Sequence, residues 1–81
     1  MKIKILGPGC QKCKTLYKTV TDVVEENSID AEVVKIEDIV EIMNYNILST
    51  PAMLVDDKVV LKGQTPSKEE ILKLISKEIH G

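Results

Sequence analysis

Two cysteines three positions apart, Cys10 and Cys13 in the run Gly9-Cys10-Gln11-Lys12-Cys13, are the side chains of this sequence best suited to covalent chemistry. A thiolate attacks disulfides and binds soft metals far better than a thiol does, so the chemistry turns on what lowers a cysteine's pKa. The residues before the pair alternate as a strand does and those after it recur at helical spacing, which puts Cys10 at the entry of a helix. Unpaired N–H groups and the positive end of the helix dipole favour a thiolate there. Lys12 and Lys14 add positive charge, and no carboxylate lies within the motif to oppose them. Cys13 follows by nearly one helical turn, so the two sulfurs can meet on one face at bonding distance. The pattern casts Cys10 as a nucleophile that attacks a substrate disulfide, and Cys13, the more buried of the two, as the thiol that resolves the mixed disulfide. A reversible Cys10–Cys13 disulfide is then the redox-active group, with no other cofactor.

The same spacing has other uses. Such a pair can present two thiolates to copper(I) or a similar soft ion, as a metal chaperone does, or can be two small buried residues without a role. A closed zinc site needs four ligands, and the only histidine, His80, stands beside the C-terminal residue, so no metal site is expected. A second feature is Thr50-Pro51, immediately ahead of an apolar run. An X-Pro bond adopts the cis form at little cost, and a cis bond here turns the chain sharply towards the cysteine loop.

The elements that must position these groups can be read from periodicity. Lys2 to Leu6 alternates polar and apolar with β-branched residues, which predicts a strand, and Gly7-Pro8-Gly9 breaks it. From Cys10, the positions Cys13, Leu16, Val20, Val23, Val24 and Asn27 mark the inward face of a helix of about four turns. Ala31 to Ile36 predicts a second strand, parallel to the first through a right-handed crossover. Glu37 and Asp38 open a short helix with apolar positions Ile39, Val40, Ile42 and Met43. Ala52 to Val55 and Lys58 to Lys62 form a hairpin around Asp56-Asp57, which read as its turn. Gly63 ends the last strand. A final helix from about Ser67 to Ile79 carries the stripe Ile71, Leu72, Leu74, Ile75 and Ile79, with Ser67 and Glu70 at capping-box spacing. The order is βαβαββα, an α/β arrangement.

Composition narrows the function classes. The chain has 81 residues, the size of one domain spanning 1–81, and its 43% hydrophobic content, with two Tyr and no Phe or Trp, implies one aliphatic core. Net charge is −2 and the basic residues are spread along the chain, which argues against a nucleic-acid partner. No apolar run approaches the ~18 residues of a membrane span, and the N-terminus is too short and alternating for a signal peptide, so a cytoplasmic location is expected. Two cysteines in such a chain suggest chemistry or metal binding rather than a structural disulfide framework. Nothing in the sequence requires an oligomer, and a monomer is expected.

Taken together, the strand leading into Cys10-Gln11-Lys12-Cys13, the Thr50-Pro51-Ala52 segment before the hairpin, and Gly63 at the end of the last strand resemble the thioredoxin superfamily. Within it the chain is similar to the small thioredoxin/glutaredoxin-like redox proteins of archaea and bacteria. The resemblance implies a thioredoxin-like fold, with a four-stranded mixed sheet flanked by three helices. It also implies that Pro51 is cis and lies against the active-site disulfide, while the backbone of Thr50 pairs with an extended substrate. Gln11 and Lys12, between the cysteines, are expected to face that substrate. The dipeptide is neither the Gly-Pro of typical thioredoxins nor the Pro-Tyr of typical glutaredoxins. The activity implied is thiol–disulfide exchange that reduces protein disulfides, with electrons from a reductase or a small thiol. Copper(I)-type chaperones, the alternative, use a βαββαβ order and lack the Thr-Pro step.

Overall fold

β1 (Lys2–Leu6) is the strand about which the molecule is organised, because it pairs on both sides. It runs parallel to β2 (Glu32–Ile36) and antiparallel to β3 (Ala52–Val55), which in turn forms an antiparallel hairpin with β4 (Lys58–Lys62). The sheet order is therefore β2-β1-β3-β4. The helices are α1 (Gln11–Glu26), α2 (Ile39–Asn44) and α3 (Lys68–His80), giving the βαβαββα order. This is the mixed four-stranded sheet with three helices expected of a thioredoxin-like fold. The computed structural model describes residues 1–80.

Strand alternation splits the core in two. Ile3 and Ile5 face the larger cluster, where α1 contributes Leu16, Val20 and Val23 and α3 contributes Ile71 and Ile75. Leu6 faces the other side with Ile42, Ile47, Ala52 and Leu54. Each large aliphatic side chain buried this way contributes about 1.5–3 kcal/mol, and the larger cluster holds most of them. Both faces of β3 are covered, so all four of its residues are buried.

Five details depart from the sequence reading. β2 begins at Glu32 rather than Ala31. Asp38 rather than Glu37 starts α2, its side chain accepting from the Val40 N–H at 2.9 Å, and Glu37 lies outside the helix. Of the apolar positions of α2 only Ile42 is buried, because six residues make fewer than two turns and present one position squarely to the sheet. The stripe of α3 stops at Ile75, since Ile79 lies one turn further, half exposed beside Met1 and Ile29 at the end of the sheet. Asn27 likewise does not face inward. It is exposed as the C-cap of α1 and donates from its side chain to the Val23 carbonyl at 2.9 Å.

The face that α2 covers thinly also carries a polar clamp. Lys4 Nζ lies 2.7 Å from both the Tyr45 hydroxyl and Asp57 Oδ1, and 5.0 Å from the Tyr45 ring centroid. Hydrogen bonds to Asp57 first and Tyr45 second raise the Lys4 pKa above its usual value, and the ammonium lowers that of Asp57. Asp56 and Asp57 both have positive φ, 47° and 69°, which fits a two-residue hairpin turn. The Asp56 N–H donates to the Lys2 carbonyl at 2.9 Å, while Asp56 Oδ1 accepts from the Lys2 N–H at 2.8 Å, tying the turn to β1. No helix among the described residues is long and apolar enough to cross a membrane.

Candidate active site

The site is built where β1 and β2 end. The Gly7 N–H donates to the Ile36 carbonyl at 2.9 Å, which carries the parallel pairing one residue past β1 and fixes the start of the loop. Gly7 is buried, and a Cβ added to it would collide with the Cys13 sulfur while approaching the Pro51 Cα at 3.9 Å. Only a residue without a side chain lets Cys13 and Pro51 close on this point. Gly9 follows with φ +91°, a conformation L side chains rarely adopt. The sequence reading treated both glycines as a strand breaker.

Cys10 is the N-cap of α1. Its backbone is extended (φ −70°, ψ 168°), its carbonyl accepts from the Lys14 N–H at 3.0 Å, and its sulfur accepts from the Cys13 N–H at 3.3 Å. A sulfur thus stands where a capping oxygen usually does. Cys10 is exposed, whereas Cys13 is buried with 5% of its surface accessible. Pro51 is buried in a cis Thr50–Pro51 bond, its carbonyl accepts from the Gly63 N–H at 2.7 Å, and Thr50 is half-buried just ahead of the first β1–β3 ladder pair, Leu6 with Ala52. Gly63 has φ +67°, which lets the chain leave β4 beneath this bond. Gln11 and Lys12 are exposed on the first turn of α1.

A sequence model of the thioredoxin domain family matches residues 1–76. The chain belongs to the thioredoxin family. A thioredoxin of Methanocaldococcus jannaschii is 42% identical over 79 residues, covering 98% of this chain and 91% of that protein. One from Methanothermobacter thermautotrophicus is 40% identical over 76 residues, covering 94% and 99% respectively. Among solved structures, thioredoxin 1 of the thermophilic eubacterium Thermosipho africanus matches with a TM-score of 0.64 over 99% of this chain and 96% of that one. At 20% identity that likeness shows the shared thioredoxin fold.

In this thioredoxin-family site the two thiols are driven apart. The Cys10 pKa lies below its ordinary value, chiefly through the hydrogen bond from the Cys13 side chain, with the Cys13 and Lys12 backbone N–H groups assisting. The Cys13 pKa is pushed up by burial first and by its hydrogen bond to Cys10 second. The leading influences on Cys10 are therefore the neighbouring thiol and the helix-start amides rather than the ammonium charges of Lys12 and Lys14. Such an arrangement can hold one ionised, solvent-facing sulfur with a protonated one behind it. Cys13 and Pro51 are brought together at Gly7, Cys10 adjoins Cys13, and Thr50 adjoins Pro51. Sequence reasoning missed Gly7, whose need for a bare Cα comes from residues 13 and 51 and leaves no local signal beyond its place before the motif.

Proposed function

We propose that this chain is a thiol–disulfide oxidoreductase that reduces protein disulfides in the cytosol, as a monomer and with no cofactor beyond its own Cys10–Cys13 pair. The observation that carries the reading is the division between the two sulfurs, Cys10 exposed with a lowered pKa and Cys13 buried with a raised one. The Cys10 thiolate attacks one sulfur of a substrate disulfide, and the other sulfur leaves as a thiolate that takes a proton from solvent. Cys13 then attacks the Cys10 sulfur, forming the Cys10–Cys13 disulfide as the substrate's second sulfur departs. Two electrons pass from the dithiol to the substrate, and a reductase or small thiol returns them. Both archaeal relatives bear the name thioredoxin, which supports this direction. The soft-metal alternative draws no support from them.

A protein rather than a small disulfide suits the surroundings. In this reading the backbone of Thr50, just ahead of the first β1–β3 ladder pair, pairs with an extended segment of the substrate and holds the target sulfur in line. Leu48, two residues earlier, is 96% exposed, and Ile39, Val40 and Met43 of α2 are exposed as well. α2 begins two residues after Glu37, whose carboxylate lies against Gly9, so its apolar side chains sit at the same end of the sheet as Cys10. Gln11 and Lys12 complete the face that meets the substrate.

Trapping in cell lysate tests the assignment. Cys13→Ser should accumulate mixed disulfides through Cys10, released by reductant, whereas Cys10→Ser should accumulate few. Equal trapping by both variants contradicts the roles given to the two cysteines.

A further inference from the structure

The step in which Cys13 attacks needs a proton acceptor, because that thiol is buried and must become an anion to react. On the flank of Cys13 lies a cavity of ≈ 10 Å³, lined by Ile5, Gly7, Gly9, Cys13, Lys14, Lys35 and Glu37. That is about the space one water occupies. Three of its lining side chains are charged. Lys14 comes from α1, and Lys35 and Glu37 come from β2 and the residue just past its end. Lys35 pairs in register with Ile5, so it shares the α1-facing side of the sheet, and its ammonium is held 4.6 Å over the Tyr17 ring of α1. Glu37, two residues on, continues that row beyond the strand. A Cβ added to Gly9 would stand 3.1 Å from Glu37 Oε2, which locates the carboxylate against the loop that carries Cys10.

The groups facing Cys13 are thus Cys10 and Lys14 from α1, Lys35 from β2, and Glu37. Ammonium groups favour a developing thiolate but cannot take its proton, and Cys10 is the sulfur under attack. Glu37 is the one carboxylate lining the cavity. Gly9 is what keeps the approach open, since any other residue there would combine a strained φ with a crowded carboxylate.

We propose that Glu37 accepts the Cys13 proton, through one water in the cavity they share, as Cys13 resolves the mixed disulfide. The Cys13 S–H bond breaks and its proton passes to the Glu37 carboxylate. The freed electron pair forms the bond to the Cys10 sulfur, the bond from Cys10 to the substrate sulfur breaks, and the substrate leaves as a thiolate. Glu37 returns its proton to solvent. Lys14 and Lys35 steady the anion during the transfer. This rests on the exchange reading of the previous section and supplies its second step with a base.

Stopped-flow reaction of the reduced protein with the aromatic disulfide DTNB separates the two steps, since Cys10 attack releases one thionitrobenzoate and Cys13 attack releases the second. In Glu37→Gln the first release should keep its rate, and the second should slow at least about tenfold at neutral pH, the low end of what a positioned base supplies. Below the Cys13 pKa the variant's second step should climb about tenfold per pH unit, following the thiolate fraction alone, while the native profile is flatter. Glu37→Asp should recover part of the loss. An unchanged second step, or equal changes in both steps, overturns the proposal, the latter pointing to a field effect on Cys10. If the native protein releases no second thionitrobenzoate, the exchange reading itself fails, whatever the variants do.

Discussion

The two ends of the sheet are built on opposite terms. At the end where the β3–β4 turn lies, polar groups are paired with neighbours far away in sequence. Asp56 exchanges hydrogen bonds with Lys2, Asp57 holds Lys4, and Lys58 reaches Glu78 of α3 at 3.4 Å. At the other end, where β1 and β2 finish, close backbone approach replaces side-chain pairing. Gly7 lies under the Cys13 sulfur, Pro51 is held by Gly63, and the surrounding apolar residues of α2 and Leu48 face outward. The contrast shows how so small a chain can leave one end open to a partner. The turn end and the two aliphatic clusters hold the sheet, and the chemical end is free to present an exposed sulfur of lowered pKa.

The sharpest break of that contrast is Gly7→Ala. A methyl group there meets the Cys13 sulfur, so the site end must give way while the turn end stays intact. We expect a loss of about 1–3 kcal/mol in urea unfolding, as overpacking typically costs. Disulfide reduction should fall by up to about 100-fold through misplacement of the two sulfurs. A variant with native stability and turnover would mean that the close approach is not needed.

Changes at the turn end should do the reverse. Lys4→Met removes the ammonium shared by Tyr45 and Asp57 and should lower Tm by a few degrees, with the rate of Cys10 alkylation unchanged. Asp57→Asn should have the smallest effect, a small loss near neutral pH that vanishes in acid. Lys4 holds the Asp57 carboxyl below its ordinary value of 3.8, so its contribution is present above that value and fades as pH falls through the lowered folded value. The variant should therefore lose less Tm than the native protein as pH drops below about 4, followed by thermal melts across that range. Any slowing of thiol chemistry by either change would show the two ends to be coupled.

Much of this architecture was legible in the residues because its signals are local. Alternation in Lys2 to Leu6, the helical recurrence from Cys13 to Val23, and the two acids between apolar runs each correspond to an element of the structure. What escaped was set by contacts across the fold. Gly7 reads as a breaker until Cys13 and Pro51 are seen to close on it. Glu37 reads as the acidic start of a helix, although Asp38 already fills the cap and leaves Glu37 to extend the row of β2 towards Gly9. Periodicity also cannot say how much of a short helix the sheet will cover, which is why Ile39, Val40 and Met43 lie exposed. The same holds for the cysteine electrostatics. The first amides of α1, expected from the sequence, do lower the Cys10 pKa, but the largest effect comes from the thiol of Cys13, and Lys12 and Lys14 are not among the leading influences.

The pH dependence of alkylation tests the central claim most directly. The fully reduced protein is treated with iodoacetamide across the pH range, and the modified cysteine is identified by peptide mapping. Cys10 should react first and titrate below the ordinary thiol value of about 8.5, with Cys13 silent until well above it. Replacing Cys13 by Ala should move the Cys10 titration upward, since its principal stabilising hydrogen bond is gone. Preferential labelling of Cys13, or a Cys10 titration at or above the ordinary value, would contradict the account.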